Sequence, residues 1–136
     1  MSITSIIDAF QVINSGITDV DAAPTTYPNQ LIAHATTAIT LPGQCNWRAA
    51  GLGGGRKAER TYLLRFYVAP ADSDAGTAMT ACAEILEAVG IVYRATKSVD
   101  GNPIKSVEDS GLLRTLGYGG AQYYGFEYRV AVLEES

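Results

Sequence analysis

The amino-acid sequence predicts an α+β fold, a mainly antiparallel sheet with two helices packed on one face. Two segments, 2–16 and 75–89, carry apolar residues at helical spacing, and about five or six further segments have strand character. Most of those strand segments are joined by short, turn-rich links, which favour hairpins over crossover connections. A chain of 136 residues is long enough for a single domain, 1–136, that buries roughly two-thirds of its unfolded surface.

The most strongly patterned strand runs from Thr61 to Val68 and stops before Ala69-Pro70. Aromatic and aliphatic residues dominate it, which is typical of a half-buried strand. Alternation gives it one face that we expect to meet the helices and one that points away from them. The first face holds Tyr62, Leu64, Phe66 and Val68, and the second holds Leu63, Arg65 and Tyr67.

A helix is predicted from Ala75 to Val89. Asp72-Ser73-Asp74 precedes it and supplies a capping side chain and negative charge at the N-terminal end of the helix dipole. Gly90 is expected to end the helix, and residues 91–96 to form a strand, so that strand, helix and strand frame the protein. The apolar stripe consists of Ala78, Cys82, Ile85, Leu86 and Val89. We expect the core between sheet and helix to contain Leu64, Phe66, Ile85 and Leu86.

The N-terminal third predicts a first helix and an extended link. Apolar residues recur at three- and four-residue steps between Ser2 and Gly16, with Ser2 or Thr4 as the N-cap and Gly16 as the stop. The link, residues 19–30, contains Pro24 and Pro28, and these prolines argue against a helix there.

The middle of the chain predicts a hairpin and a loop. Residues 31–41 and 44–50 have strand character, with Pro42-Gly43 as the turn between them. Four of the five residues from 51 to 55 are glycine, so segment 51–59 is predicted to be a flexible loop. Within it, the stretch from Gly51 to Lys57 is expected to be disordered in the free protein and ordered in an assembly.

The C-terminal third predicts a polar loop at 99–110 with room for a short edge strand, a strand at 112–116, and a tyrosine-rimmed turn at 118–123. The last strand, 124–132, alternates most clearly. Tyr124, Phe126, Tyr128, Val130 and Val132 point one way, and Glu127 and Arg129 point the other.

Composition argues against several classes of protein. The formal charge of −4 and the isoelectric point near 4.8 disfavour a dedicated nucleic-acid binder. No apolar run approaches the ~20 residues needed to span a bilayer. The N-terminus lacks a basic segment and a cleavage-type sequence, so we expect no secretory signal.

Residues capable of chemistry are few. His34 is the only histidine and is expected to be a half-buried polar residue of a strand. Cys45 and Cys82 could pair, but the place of Cys82 on the apolar stripe favours a core thiol in a reducing compartment. Asp72 and Asp74 could form a carboxylate pair, but capping explains them better. The sequence therefore predicts no catalytic, cofactor-binding or metal-binding residue, and no enzyme.

The region around the glycine loop is basic within an acidic chain. Glycines before a basic residue can cradle phosphate, but Walker spacing and a following helix are missing. The loop is a solvated hairpin tip, a contact loop for a partner protein, or a contact to a nucleic-acid backbone. Tyrosines beside Gly119 and Gly120 suit either an interface or aromatic packing at a sheet edge. The candidate interface residues are Arg48, Leu52, Arg56, Lys57, Arg60, Tyr118 and Tyr123.

The order of these elements resembles the tail terminator family of tailed bacteriophages, which includes the lambda-like minor tail protein U. The resemblance rests on the first helix, the proline-dotted link, the strand that contains Tyr62-Leu63-Leu64-Arg65-Phe66-Tyr67-Val68, the helix from Ala75 to Val89, and the closing strand Tyr124-Gly125-Phe126-Glu127-Tyr128-Arg129-Val130-Ala131-Val132. It covers nearly the whole chain as a pattern of elements rather than as a signature motif. The glycine loop departs from the family's pattern.

The resemblance implies a homo-oligomeric ring, expected to be a hexamer, that caps the tail tube and joins it to the neck or head. The implied partners are the tail tube protein and a neck or connector protein, with DNA passing through the lumen and no membrane. The implied location is the virion, after assembly in the host cytoplasm. A head-completion or neck protein is the rival from the same setting, and a small-molecule binding module is the rival from another class. The family offers no catalytic residue or cofactor to transfer.

Overall fold

The computed structural model describes residues 3–31, 35–49, 56–111 and 114–135. Within these ranges the chain forms two helices and a curled antiparallel sheet of six strands, which confirms the α+β prediction. The elements are α1 (Ile3–Ser15), β1 (Thr37–Ala49), β2 (Arg56–Pro70), α2 (Ala75–Ala95), β3 (Ser98–Val99), β4 (Asn102–Asp109), β5 (Arg114–Tyr118) and β6 (Ala121–Glu135). The strand order is β1-β2-β6-β4-β3, and β5 pairs with the first part of β6.

Both helices pack on the same face of the sheet, as predicted. Phe66 and Leu64 of β2 are fully buried beneath them, and Ile85 of α2 is nearly so, whereas Leu86 is only half-buried at the margin. Phe66 stacks on Phe126 of β6 with ring centroids 5.0 Å apart. We call this side the helix face and the opposite side the outer face.

Helix α2 continues through Gly90 to Ala95, so the prediction that Gly90 ends the helix and that a strand occupies 91–96 was wrong. Val89 and Tyr93 continue the buried stripe of α2, and this packing outweighs the cost of roughly 1 kcal/mol of a mid-helix glycine. A Cβ at Gly90 would lie 3.1 Å from the Tyr128 hydroxyl oxygen, which donates a hydrogen bond to the Leu86 carbonyl at 2.9 Å. Gly90 therefore admits a sheet side chain instead of ending the helix.

Strand β1 is one continuous strand, so the predicted turn at Pro42-Gly43 and the strand start at Leu31 were wrong. The register with β2 shifts between Pro42 and Cys45, which marks a bulge. A Cβ at Gly43 would lie 2.4 Å from the Thr61 carbonyl oxygen, so Gly43 serves close strand approach rather than a turn. Pro42 fits because β1 is an edge strand.

Strand β2 begins at Arg56, which pairs with β1, and residues 57–59 pair with both β1 and β6. The loop predicted over 51–59 was therefore wrong for residues 56–59. Residues 50–55 lie outside the described part of the chain. Residues 99–110 were predicted to be a polar loop with room for a short edge strand. The loop was wrong, because β3 and β4 form a hairpin there, and the strand is longer than expected at eight residues. Asp100 and Gly101 have φ of 49° and 78°, as the Asp-Gly sequence of a tight hairpin turn favours.

The link between α1 and β1 contains no helix over residues 19–30, as its prolines predicted, and it runs along the edge of the sheet. Ala22 forms a parallel bridge with Thr37, and its carbonyl accepts a hydrogen bond from the Ala38 amide. Further along, the Tyr27 hydroxyl donates to the Thr40 carbonyl at 2.8 Å. The link thus occupies the outer edge of β1 from Thr36 to Thr40.

Helix α2 is long and apolar enough, by length and composition only, to cross a membrane, contrary to the expectation that no segment qualifies. Its buried stripe packs against the sheet and includes Cys82, as predicted for a core thiol. Cys82 and Cys45 are both free thiols. The apolar composition of α2 is therefore accounted for in part by its position as the cover of the sheet.

Candidate assembly surface

The predicted interface residues fall into two groups at opposite ends of the sheet. At one end, Arg48 of β1 pairs in register with Lys57 of β2, and Arg56 pairs with Ala49. At the other end, Tyr118 of β5 pairs with Ala121, and Tyr123 of β6 pairs with Leu116. Leu52 and His34 lie outside the described residues.

Arg60 belongs to the basic end but is engaged locally. Its Nη1 donates a hydrogen bond to the Gly43 carbonyl at 3.1 Å, so the side chain braces the bulge of β1. Its buried Nε has no hydrogen-bond partner among the described atoms. Arg60 therefore stabilises the sheet of its own protomer and is a weaker candidate for contact with a partner protein.

Tyr118 and Tyr123 pack edge-on against Tyr67, each with ring centroids 5.6 Å from it. We call these three residues with Ile39 and Leu116 the tyrosine cluster, which covers one end of the outer face. The Tyr118 hydroxyl donates to the Pro28 carbonyl, which fastens the link to this end. Of the two interpretations left open by the sequence, the contacts favour aromatic packing, with Tyr118 and Tyr123 still half-exposed.

An ion cluster occupies the centre of the outer face. The carboxylate of Glu127 accepts hydrogen bonds from Arg65 Nε at 2.9 Å and from Arg129 Nε at 3.1 Å. Glu127 is only 3% exposed, while the two arginine side chains are 30% and 55% exposed. Burial by itself raises the pKa of the Glu127 carboxyl, but the two guanidinium groups hold that pKa below its ordinary value.

The sequence placed Glu127 and Arg129 on the second face of β6 but gave no sign that Glu127 is buried. The available signal was the Glu-x-Arg spacing in β6 together with Arg65, the single arginine of the segment from Thr61 to Val68. Register places Arg65 directly opposite Glu127, and a cross-strand pair of opposite charge stabilises a sheet. Only the strand register reveals that pairing.

A buried polar network on the helix face was missed by the sequence analysis. Gln11 Nε2 donates to the carbonyls of Pro24 and Ala38 at 2.7 and 2.8 Å. Asn14 Nδ2 donates to Gln11 Oε1 at 3.0 Å, and the Tyr93 hydroxyl donates to Asn14 Oδ1 at 2.6 Å. The network joins α1, α2, the link and β1. Because these buried polar side chains are hydrogen-bonded to one another and to the backbone, they specify the position of both helices on the sheet.

A second buried pair lies near the far end of β2 and β6. The Tyr62 hydroxyl donates to the Glu134 carboxylate at 2.6 Å. Burial, followed by the hydrogen bond and negative charge of Glu134, raises the pKa of the Tyr62 hydroxyl. The pair ties the C-terminal end of β6 to β2.

The remaining outer face has no covering element among the described residues. Below the tyrosine cluster, the rows across the sheet place Leu41, Leu63, Arg129 and Glu108 side by side, and Glu59 Oε1 lies 3.8 Å from Lys105 Nζ. Strands β2 and β6 are 15 residues each, so this face extends over about 50 Å. It is a long sheet surface that carries paired charges.

Three features of the described residues bear on chemistry: a capping carboxylate, the grouping of metal-ligating residue types, and two open grooves. Asp74 caps α2, its Oδ2 accepting from the Thr77 amide at 3.0 Å, as the capping interpretation predicted. In the described part of the chain no group of three or more histidine, cysteine, aspartate or glutamate residues could hold a metal ion. An open groove of about 350 Å³ lies beside Leu31, Pro70 and Tyr123, and another of about 450 Å³ lies between Val68 and Ala81.

A scan against protein-family models finds no matching family, and a search of curated proteins finds no similar sequence.

Proposed function

We propose that this protein is a virion structural protein, a tail terminator that forms a ring at the end of the tail tube and joins it to the neck or head. The observation that carries the proposal is the one-sided architecture. Both helices cover one face of the sheet, whereas the outer face is held by the ion cluster and the tyrosine cluster without a covering layer in the described residues.

A wall of this kind suits a hollow ring. The helix face supplies the packed core of each protomer, and the outer face lines the lumen through which DNA passes. Arg65 and Arg129 are bonded to Glu127, so the lumen surface offers fewer free cations to the phosphate backbone. The element order that resembles the terminator family adds to the proposal.

A terminator needs different surfaces on the two sides of its ring. The basic end of the β1–β2 hairpin and the tyrosine cluster lie at opposite ends of the same strands. If the strands run between the two sides of the ring, one end meets the tail tube protein and the other the neck or connector protein. Assembly then takes place in the host cytoplasm and requires no cofactor, membrane or catalytic residue.

The first test is the size and shape of the purified protein. Sedimentation and negative-stain electron microscopy should reveal concentration-dependent rings, expected to be hexameric. A monomer at all accessible concentrations, both alone and with tail tubes, would contradict the proposal.

The second test distinguishes a terminator from a neck protein. Disrupting the gene in a phage that encodes this chain should give tails of irregular, excessive length that do not join heads. Tails of normal length that accumulate unjoined would instead indicate a head-completion or neck protein.

A small-molecule binding module is the second candidate, and the groove beside Leu31, Pro70 and Tyr123 favours it. Such a module should remain a monomer or dimer and be stabilised by a ligand. Thermal shift across a metabolite set, with Tyr123→Ala as the groove variant, tests that alternative. Stabilisation of the wild type but not of the variant, with no rings, would favour it.

A further inference from the structure

We infer that copies of this chain associate through their sheet edges. Residues 106–109 of β4 in one protomer pair antiparallel with residues 45–49 of β1 in the next. The inference rests on the proposed ring and names its interface. An edge strand offers unpaired backbone amides and carbonyls that can template pairing with another chain.

The two edges are available in limited stretches. On β1, the link occupies the outer edge from Thr36 to Thr40, and the bulge with Pro42 interrupts the next residues. Residues 45–49 follow the bulge, with no strand beyond them in the described ranges. On β4, β3 covers residues 102 and 103, and the register shifts between Ile104 and Ser106. Residues 106–109 are then the regular, exposed part of that edge.

Strand direction permits a continuous sheet. β1, β2, β6 and β4 are each antiparallel to their neighbour, so β4 runs opposite to β1. A second copy in the same orientation beside β4 therefore presents its β1 antiparallel to that strand. Such a contact uses a different patch on each partner, and it closes into a ring when the rotation between copies permits.

Matching of faces selects one register. Cys45 pairs with Arg60, which lies on the helix face, and Asp109 pairs with Tyr128 on the same face. Residues directly opposite each other in a sheet share a face. Placing Cys45 of one copy opposite Asp109 of the other uses all four regular residues of β4 and puts Asn46 opposite Glu108.

This register has a consequence for the shape of the assembly. Within one protomer Asp109 is level with Thr40 rather than Cys45, four rows away along the strands. Four rows correspond to about 14 Å, and four strands span about 19 Å across the sheet. If all copies lie at the same height along the ring axis, their strands must be tilted from that axis by about 35°. This tilt is at the lower edge of the range found in closed sheets.

Charge also favours the offset. Glu108 and Asp109 stand near the end of β4, and Arg48 stands on β1 beyond Cys45. By register, Glu108 and Arg48 lie on the outer face, whereas Asp109 lies on the helix face. With the two strands level, Glu108 faces Leu41, seven residues from Arg48 along the chain. In the offset register Glu108 faces Asn46, two residues from Arg48. The offset therefore brings the oppositely charged positions Glu108 and Arg48 closer on one face and disfavours the level register.

Disulfide trapping tests the register. Asn46→Cys with Glu108→Cys, made in a Cys45→Ser background, should give a ladder of covalent oligomers on mild oxidation. Directly opposite Cα atoms of an antiparallel pair lie about 4.5–5.5 Å apart, within the range of a disulfide. Native Cys45 with Asp109→Cys is the second pair, should the first variant fold poorly.

Leu41→Cys with Glu108→Cys, also in the Cys45→Ser background, is the matched control, because these positions are level in an unshifted arrangement. Cross-links only in the control would overturn the register. If electron microscopy shows rings but neither the offset pairs nor the control pair form cross-links, the edge interface is overturned while the proposed function survives. A ladder from the offset pairs, in a protein whose loss leaves phage tails normal, would support the interface and refute the terminator.

Discussion

Adjacent residues of β2 meet two different environments. Phe66 is fully buried between the sheet and the helices, and it stacks on Phe126. Its neighbour Arg65 lies on the outer face and is held by an ion pair with Glu127. The helix face derives its stability from apolar burial and a buried polar network, whereas the outer face relies on charge pairing and one aromatic cluster. A single strand therefore contributes alternate residues to the core and to an exposed, charge-paired surface.

The contrast is tested by truncating one side chain on the helix face of β2 and one on its outer face. Phe66→Ala removes a fully buried ring and should lower the free energy of unfolding by about 3–5 kcal/mol. Leu63→Ala, on the half-buried outer face, should cost much less. Equilibrium denaturation in urea measures both, and equal losses would mean that the outer face is as well packed as the helix face.

The buried network should produce the next largest effect. Asn14→Ala removes the acceptor of the Tyr93 hydroxyl and leaves that hydroxyl buried without its partner, at a cost of about 3 kcal/mol including the small cavity. Adding Tyr93→Phe removes the stranded hydroxyl. The double variant should therefore lose less stability than the sum of the two single variants, and strict additivity would contradict the network.

The ion cluster should contribute less to stability than the buried network, and its contribution should depend on pH. Glu127→Gln should cost about 2 kcal/mol at neutral pH, because the carboxylate receives two charge-assisted hydrogen bonds. The pKa of Glu127 is lowered in the folded state, so its contribution is present above the ordinary glutamate pKa of about 4.3 and is lost as pH falls through the lowered value.

Denaturation curves between pH 7 and pH 2 check this dependence. The stability difference between wild type and Glu127→Gln should shrink in acid. A difference that stays constant across that range would show that the charge of Glu127 is irrelevant.

The smallest effect is expected at the exposed member of the cluster. Arg129 is about half exposed, so Arg129→Gln should cost less than about 1 kcal/mol and should be weakened further by salt. Arg65→Gln, at the less exposed partner, is the comparison and should cost more. Thermal melts at low and high ionic strength measure both, and the reverse order would relocate the main ion pair to Arg129.

The prediction about His34 lies outside this comparison and stays open. His34→Gln should leave fold and assembly almost unchanged, because no residue in the sequence stands at a useful spacing to make it a base or a ligand. Sedimentation and a thermal melt of the variant check this expectation. Loss of a measurable turnover with the fold intact would contradict a purely structural protein.

Elements whose signals are local could be predicted from the amino-acid sequence. The alternation in β2 and β6 and the capping residue Asp74 depend on neighbouring residues, and the structure confirms them. Local signals also misled, since Gly90 and Pro42-Gly43 look like stops although tertiary contacts carry α2 and β1 through them.

The strand register, and with it the set of residues that meet across the sheet, could not be predicted from local patterns and is seen only in the folded protein. Arg65 and Glu127 are 62 positions apart, and Asn14 and Tyr93 are 79 apart, so no spacing along the chain could announce either contact. Burial of Glu127 and Asn14 depends on strands and helices brought together by packing of the whole core. A contact between distant residues is fixed by the geometry of the assembled sheet, and local sequence preferences do not encode that geometry.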